Sequence, residues 1–331
     1  MENNTVTLQD VQEAAKRIEK YIRHTPLLCE ENMEKALQCK VYLKPEMLQV
    51  TGSFKMRGAL NAIFSLTEEE REKGIICSSS GNHGKACALA GIMTKTHVVV
   101  VLPDDTPEAK IKGIEELGGE VILGPRMYSD RWKMVREIQA EKGYTIVHGY
   151  EDYKVMAGQG TLALEVLEDM SDIDTIVVPV GGGGLISGVA TAAKALKPDI
   201  KIVGVQAKAS DAYVESFQAG HPVEAPCFPS LADGLTCRRP GENPYPIIEN
   251  LVDEFVAVSE EDIAKSVKLI AQEAKLIAEP SSCVGVAAVL GKELKVREDE
   301  KVCFILTSGN WNIDWIGMLL KDEKIPESEL S

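Results

Sequence analysis

The chain has 331 residues, 44% of them apolar, and a formal net charge of −15. A chain of this length buries a full core and is expected to divide into two lobes, because single cores stop growing near this size. Its acidic balance argues against nucleic-acid partners and anionic membranes. No apolar run approaches the roughly 20 residues that cross a bilayer, and residues 1–10 lack the apolar core of a signal peptide. We therefore expect a cytoplasmic protein whose eight cysteines, which show no C-x-x-C spacing, remain reduced and bind no metal.

The predicted elements alternate between helices and apolar strands. A helix is predicted over residues 7–22, where Thr7 begins a capping box and apolar residues then recur on one face. Strands are predicted from β-branched, apolar runs at residues 41–43, 75–77, 98–102, 121–123, 145–148, 176–180, 202–206, 255–258 and 302–306. Further helices are predicted at residues 55–66, 82–93, 107–117, 129–142, 158–170, 184–196, 260–276 and 281–293. This alternation predicts an α/β protein with parallel sheets between layers of helices. Residues 222–246, which are rich in Pro and Gly, are predicted to be irregular.

Lys55 lies in the first turn of a predicted helix, where Ser53 is expected to act as the cap. A cation at this end opposes the helix dipole, which lowers the pKa of the amine. A neutral amine forms a Schiff base with an aldehyde cofactor. Most lysines are solvated surface residues. However, Gly52 and Gly58 beside Lys55 allow a ligand to approach the backbone closely, so we interpret Lys55 as a nucleophile.

Four consecutive glycines, Gly181, Gly182, Gly183 and Gly184, follow a predicted strand and precede a predicted helix. Such a run lets the backbone wrap a compact anion at the positive end of the helix. It is not a P-loop, because no Gly-Lys-Ser/Thr follows. It is not a dinucleotide fingerprint either, because no acidic residue ends the next strand. A monophosphate is therefore the expected ligand.

Polar turns after two other strands complete the candidate site. Residues 78–83 place backbone N–H groups at a helix start, where a carboxylate binds without a basic side chain. Thr307 presents a hydroxyl at the edge where open α/β sheets bind ligands. Simpler interpretations exist for each turn, and for His83 and His148 a structural hydrogen bond is the more common role. Only the combination predicts a site for pyridoxal phosphate.

Together, the stretches at residues 51–55, 78–83, 181–184, 279–281 and 307–310 resemble the site of fold-type II pyridoxal phosphate enzymes. The resemblance is to the serine/threonine dehydratase and serine racemase family. It covers residues 24–310, including motifs at 157–161, 231–234 and 284–288. It is closest for the short catabolic threonine dehydratases without a regulatory domain. It implies two open parallel-sheet domains with helices on both faces, similar to the β subunit of tryptophan synthase. The cofactor is expected between a large domain (residues 1–73 and 149–331) and a small mobile domain (residues 74–148).

The resemblance also implies a role for each motif residue. Lys55 is expected to hold pyridoxal 5'-phosphate beside Phe54, and Asn82 to bind its phenolic oxygen. Thr307, or Ser308 in its place, is expected to face the pyridine nitrogen, and Glu279 to lie against the cofactor. The phosphate is expected on Gly181, Gly182, Gly183, Gly184 and Leu185. The substrate carboxylate is expected at Ser79, Ser80, Gly81, Asn82 and His83. Tyr150 and Tyr153 are expected near the site, because they precede the motif at 157–161.

The implied activity is β-elimination from a β-hydroxy amino acid such as L-threonine or L-serine, giving a 2-oxo acid and ammonia, with Lys55 as the base. Amino-acid racemisation is a second candidate, because Ser80 stands where serine racemases carry their second acid–base group. Dehydration of 3-hydroxyaspartate or of a hydroxyectoine-derived amino acid, β-replacement, and a non-catalytic role in binding a phosphate ligand are also compatible with the motifs. No divalent metal is expected at Gln206, Ser210 and Ala212, which replace the acidic cation ligands of eukaryotic-type racemases. A homodimer or larger homo-oligomer is expected from symmetry statistics.

Overall fold

The computed structural model describes residues 5–79, 81–323 and 325–326, and its strands form two sheets. The strands in chain order are β1 (Leu28–Cys29), β2 (Lys40–Pro45), β3 (Ile75–Ser78), β4 (Val98–Pro103), β5 (Glu120–Gly124), β6 (Thr145–Ile146), β7 (Thr175–Pro179), β8 (Lys201–Ala207), β9 (Glu254–Val258) and β10 (Lys301–Leu306). One sheet has six strands in the order β1-β2-β10-β7-β8-β9, and the other has four in the order β5-β4-β3-β6. All neighbouring strands are parallel except β1 and β2. The predicted parallel α/β class is confirmed.

Helices connect most of the strands. They are α1 (Leu8–Ile18), α2 (Glu31–Leu37), α3 (Lys55–Phe64), α4 (Glu68–Lys73), α5 (Asn82–Thr94), α6 (Glu108–Glu115), α7 (Tyr128–Lys142), α8 (Tyr153–Asp169), α9 (Gly184–Leu196), α10 (Ala212–Ala219), α11 (Pro244–Leu251), α12 (Glu260–Leu269), α13 (Pro280–Leu290) and α14 (Ile313–Leu320). In the part of the chain that the structure describes, no helix combines the length and apolar content that a membrane span needs.

The strands are apolar on both faces because each sheet lies between two packed layers. In β7, Val177 belongs to one buried apolar layer, whereas its neighbours Ile176 and Val178 belong to the opposite layer. In β3, Ile76 and Cys77 likewise face different layers. Successive side chains of a strand point to opposite faces, so a sheet buried on both sides requires uninterrupted apolar runs. These runs are the feature that made the strands predictable.

Several boundaries differ from the predicted ones. Helix α8 begins at Tyr153, five residues before the predicted start at 158, because the Asp152 carboxylate accepts from the backbone N–H groups of Lys154 and Val155. Helix α12 ends at Leu269 and continues as one π-helical turn over Ile270–Ala274. The short elements β1, α2, α4, α10, α11 and α14 were not predicted, and α11 begins inside the region predicted to be irregular. The division into domains at residues 74 and 148 stays a prediction.

A buried ionic cluster anchors the start of α3. The Arg57 guanidinium is fully buried and makes two hydrogen bonds to Glu46, both at 2.8 Å, and two to Glu165, at 2.6 and 2.8 Å. The Lys44 ammonium also contacts Glu165, at 2.7 Å. Each of these buried charges has an opposite charge beside it, as burial of an ion requires. The cluster ties β2, α3 and α8 together two residues from Lys55.

Candidate functional site

The predicted motifs meet at the carboxyl ends of strands from both sheets. The glycine run follows β7, Thr307 follows β10, and the turn that leads into α5 follows β3. An antiparallel bridge between Ser53 and Ser308 joins the Lys55 segment to the segment after β10, and the Phe54 N–H donates to the Thr307 carbonyl at 3.0 Å. The carboxyl edge is where open parallel sheets bind ligands.

Lys55 is the first residue of α3. Its Nζ donates to the Gly149 carbonyl at 3.0 Å and lies 5.0 Å from the centre of the Phe54 ring. Burial lowers the pKa of the Lys55 amine to about 8, against opposing effects of the Cys87 and Glu279 charges. A neutral fraction near neutral pH is what a base or nucleophile requires. The predicted cap is wrong, because Phe54 is the N-cap residue; the Ser53 hydroxyl accepts from the Lys55 backbone N–H at 3.3 Å instead.

The glycine run makes a turn that only glycine fits. Gly183 has a φ of +96°, a value that residues with a Cβ rarely adopt. A side chain on Gly183 would overlap the Tyr213 hydroxyl, and one on Gly182 or Gly184 would overlap Tyr150. Packing therefore excludes any larger residue at these three positions.

Hydrogen bonds fix the carbonyl groups of this turn on one side, so its backbone N–H groups point to the opposite side. The Gly182 carbonyl accepts from the Tyr213 hydroxyl at 3.0 Å, and the Gly183 carbonyl accepts from the Ser187 N–H at 3.0 Å and from its hydroxyl at 2.9 Å. In a trans peptide the N–H points opposite to the C=O, so the next N–H groups point away from Tyr213 and Ser187. Helix α9 begins at Gly184, and its first N–H groups have no partner within the helix. The turn has the properties of an anion site.

Asn82 begins α5 and contacts the segment after β10. Its Nδ2 donates to the Ser308 hydroxyl at 3.1 Å, and its Oδ1 accepts from Asn310 at 2.7 Å. The Thr307 hydroxyl lies 2.9 Å from that of Ser282. Ser308 has no exposed surface (0%), whereas Thr307 retains 4%. Because a group needs accessible surface to touch a ligand, this difference favours Thr307 over Ser308 as the residue that faces the ring nitrogen, and that role stays a prediction.

Glu279 belongs to the same cluster of polar groups. Its backbone N–H donates to the Ser308 carbonyl at 3.0 Å. Burial, and next the Asp233 charge, raise the pKa of the Glu279 carboxyl to about 7, although hydrogen bonds from Ser308 and Asn82 oppose this. Glu279 is therefore a carboxyl that exchanges its proton near neutral pH. Its predicted position beside the other motif residues agrees with these contacts.

The turn predicted to bind a carboxylate precedes α5. The Gly81 N–H donates to the Ser79 hydroxyl at 3.3 Å; Ser80 lies outside the described residues. The His83 ring is buried and its Nε2 lies 3.0 Å from the Val147 carbonyl. Burial, and next the Lys55 charge, lower the pKa of His83 to about 4. The imidazole is thus a neutral structural group, and the first-turn N–H groups of α5 remain for an anion.

Cys77, His83 and Cys87 form a buried cluster whose possible ligand atoms lie within 4.8 Å of one another. The Cys87 sulfur is 3.5 Å from Nε2 and 4.0 Å from Nδ1 of His83. All three residues are buried, and the expectation that the cysteines bind no metal stays a prediction.

The segment between β6 and α8 contributes more to the site than the sequence indicated. Gly149 accepts the Lys55 amine, and no pattern in the sequence marks this carbonyl. Tyr150 lies against Gly182 and Gly184, as expected of a residue near the site. Tyr153 instead packs against apolar core residues. A backbone acceptor is set by the path of the chain and not by residue type, which is why the sequence did not indicate Gly149.

Fold and site together define a parallel α/β protein with a buried amine and a glycine turn suited to an anion at the carboxyl ends of its strands. The chain belongs to the family of pyridoxal-phosphate dependent enzymes, whose model matches residues 18–308. It is 40% identical over 321 residues to a catabolic L-threonine dehydratase of Staphylococcus aureus, covering 94% of this chain and 93% of that one. It is 38% identical over 315 residues to an L-threonine ammonia-lyase of Thermotoga maritima, covering 95% and 78%. The structure of maize serine racemase matches with a TM-score of 0.91 and 34% identity, covering 96% and 98%. The predicted family and cofactor are confirmed.

The residues present fit this cofactor. Among the described residues, the only hydrogen-bond partner of the Lys55 amine is the Gly149 carbonyl, so the amine keeps capacity for another group. The glycine turn has no room for side chains, and its carbonyl oxygens already accept hydrogen bonds from the protein. Its N–H groups therefore remain for a phosphate. The Thr307 hydroxyl lies beside that of Ser282, in the segment whose Ser308 contacts Asn82 and Glu279.

Proposed function

We propose that this enzyme removes water and ammonia from a β-hydroxy amino acid, with L-threonine or L-serine as the first candidates, and releases a 2-oxo acid. The names of the two relatives at 38% and 40% identity support this activity. The observation that carries the proposal is the Lys55 amine, whose pKa is lowered to about 8 where it lies 3.0 Å from the Gly149 carbonyl. An amine that is partly neutral near neutral pH can form a Schiff base with an aldehyde and can also accept a proton.

The chain's own groups divide the remaining tasks. Lys55 would hold the aldehyde end of pyridoxal phosphate with Phe54 beside it, the turn from Gly181 to Leu185 would hold the phosphate, and Asn82 and Thr307 would contact the ring, near Glu279. When bound, the cofactor supplies the electron sink that makes the Cα proton of an amino acid acidic. Lys55 Nζ then removes that proton. A neutral hydroxyl such as Thr307 is a weaker ring partner than an aspartate, which favours expulsion of the β-hydroxyl over transamination.

The start of α5 would orient the substrate. N–H groups of residues 81–83, together with Ser79 and Ser80, are proposed to bind its carboxylate at the positive end of the helix. A fixed carboxylate and a fixed base at Lys55 constrain which face of Cα is deprotonated, which is a positioning effect. The four-stranded sheet carries this helix, so movement of a domain spanning residues 74–148 is proposed to open and close the site.

The test begins with the purified protein, which is expected to absorb visible light. Borohydride should fix the chromophore to the peptide that contains Lys55, and a Lys55→Ala variant should lose the attachment. A panel of L-threonine, L-serine and 3-hydroxyaspartate, assayed for 2-oxo acid, then identifies the substrate. Lys44 serves as the control, because it is also buried but paired with Glu165. Attachment at Lys44, or no release of 2-oxo acid from any β-hydroxy amino acid, including a hydroxyectoine-derived one, would contradict the proposal.

Racemisation is a second candidate. It is favoured by the match to maize serine racemase and by Ser80 in the segment before Asn82. Replacing Ser80 by Ala should abolish racemisation and spare elimination, which chiral chromatography of the remaining substrate would measure. Equal loss of both reactions would remove Ser80 from the acid–base role.

We also propose that the enzyme works in the cytoplasm as a homo-oligomer. Most soluble oligomers are symmetric assemblies of one chain, and the dimer is the commonest. Its reduced cysteines are in keeping with that compartment: all eight are free, and seven of them are buried or partly buried. Sedimentation analysis of the holoenzyme tests the assembly, and a monomer at micromolar concentration would contradict it.

A further inference from the structure

His148, Tyr128 and Tyr150 form a chain of hydrogen bonds beside the glycine turn, here called the relay. The proposed reaction assigns it no role. The Tyr128 hydroxyl lies 3.2 Å from His148 Nε2 and 2.8 Å from the Tyr150 hydroxyl. The backbone N–H groups of Tyr150 and Glu151 both donate to His148 Nδ1, at 3.3 and 3.1 Å. Tyr128 begins α7, which packs on the four-stranded sheet, so the relay bridges that sheet and the Tyr150 segment.

The direction of this relay follows from the protons available. Burial lowers the pKa of His148 to about 3, so the ring is neutral and carries one proton. Nδ1 accepts two N–H groups, and the proton must therefore reside on Nε2, which donates to the Tyr128 hydroxyl. With its oxygen accepting from His148, Tyr128 can donate its own proton to the Tyr150 hydroxyl, which lies 2.8 Å away. In this arrangement the proton of the Tyr150 hydroxyl is not used by Tyr128, and among the described residues that hydroxyl has no other partner.

Tyr150 borders the glycine turn. Its ring lies against Gly182, and its backbone and Cβ lie against Gly184. The residue before it supplies the carbonyl that accepts the Lys55 amine. The phosphate of the cofactor is already assigned to the glycine turn, its aldehyde to Lys55, and the carboxylate of the substrate to the start of α5. The substituent on the β-carbon is the polar group of the substrate that still lacks a partner.

We infer that Tyr150 is the hydrogen-bond donor that recognises an acceptor atom on the β-carbon of the substrate, with His148 and Tyr128 as positioning residues that keep its hydroxyl donating. This inference rests on the proposed β-elimination and deepens it. The relay selects β-oxygen substrates, because a site built to donate to an oxygen rejects analogues that lack a good acceptor. It also defines the class of substrate: amino acids whose β-substituent is a hydroxyl or another oxygen group.

The test compares substrates whose β-substituent differs. In Tyr150→Phe, kcat/KM should fall about tenfold for L-serine, the effect of one lost hydrogen bond. It should change less than about threefold for β-chloro-L-alanine, because chlorine accepts hydrogen bonds poorly and leaves without help. The control variant is Tyr153→Phe, which should change neither value. Equal losses for both substrates would overturn the inference in favour of a general role of Tyr150 in packing or cofactor affinity. L-Threonine replaces L-serine if the native enzyme prefers it, and release of 2-oxo acid from no β-hydroxy amino acid would overturn the proposed function itself.

Two further measurements test the positioning residues. Tyr128→Phe should lower activity on L-serine in the native background and have no further effect in Tyr150→Phe, because it acts only through that hydroxyl. In apoprotein labelled with ¹⁵N-histidine, the His148 ring should show the Nε2–H tautomer. His97 is the control, since its ring is exposed and pairs with Glu120. An additive effect in the double variant, or an Nδ1–H tautomer at His148, would overturn the relay.

Discussion

Titration of Lys55 measures how far burial lowers the pKa of its amine. Burial moves the pKa of the amine from 10.5 to about 8. At pH 7.5 an amine of pKa 8 is neutral in about a quarter of molecules, and one of pKa 10.5 in about one of a thousand. The fold therefore raises the reactive fraction by about 200-fold. Apoprotein would be labelled with trace acetic anhydride across a range of pH, and the labelled peptides quantified by mass spectrometry.

Lys73 on α4 is the matched control for this titration. It is exposed, and a hydrogen bond to Glu69 raises the pKa of its amine. Half-maximal labelling is expected near pH 8 for Lys55 and above the ordinary lysine value for Lys73. In a Glu279→Gln variant, half-maximal labelling of Lys55 should occur at a lower pH than in the native protein, because the Glu279 charge raises the pKa of Lys55. Coincident midpoints for Lys55 and Lys73, or an upward shift in the variant, would refute the reasoning.

Three substitutions test other parts of the structure. Arg57→Met should lower the free energy of unfolding by about 3–5 kcal/mol, because it leaves buried Glu46 without its cation. Arg126→Met, at an exposed ion pair, should have a much smaller effect, and equal losses in urea unfolding would contradict the buried cluster. Gly183→Ala should weaken cofactor binding and destabilise the fold more than Gly220→Ala does. Both residues have positive φ, but only at Gly183 would the new methyl group meet another side chain. Similar losses of stability in thermal unfolding would argue against the packing described for the turn. Thr307→Ala should shift the absorption of the bound cofactor while Thr307→Ser should not, and identical spectra would exclude a hydroxyl contact to the ring.

The sequence predicted the strands well because they follow from a local pattern, whereas the roles of the motif residues stay predictions. Strand β7 is apolar on both faces, and the glycines after it are required by the packing of Tyr150 and Tyr213 and by the positive φ of Gly183. The predicted Ser53 cap was wrong because the path of the chain after the turn makes Phe54 the N-cap, which residue type does not determine. The start of α8 was predicted too late because Asp152 extends the helix beyond its apolar pattern.

Contacts between distant residues were not predictable in the same way. The sequence gives no indication that the Gly149 carbonyl meets Lys55, because a backbone acceptor has no signature. The choice between Thr307 and Ser308 depends on exposed surface, which only the packed structure provides. The relay through Tyr128 joins residues of two different elements by side-chain hydroxyls, and tyrosines at such positions are ordinary in any sequence.

The bridge between Ser53 and Ser308 has a consequence for biosynthesis. The Lys55 segment is translated well before the backbone groups that fix it, at Thr307 and Gly309. Domains fold largely in the order in which they emerge, so the nascent chain carries its reactive amine without the partners that shape the pocket until the residues after β10 have been made. We therefore expect ribosome-bound chains stalled before β10 to fail to retain vitamin B6.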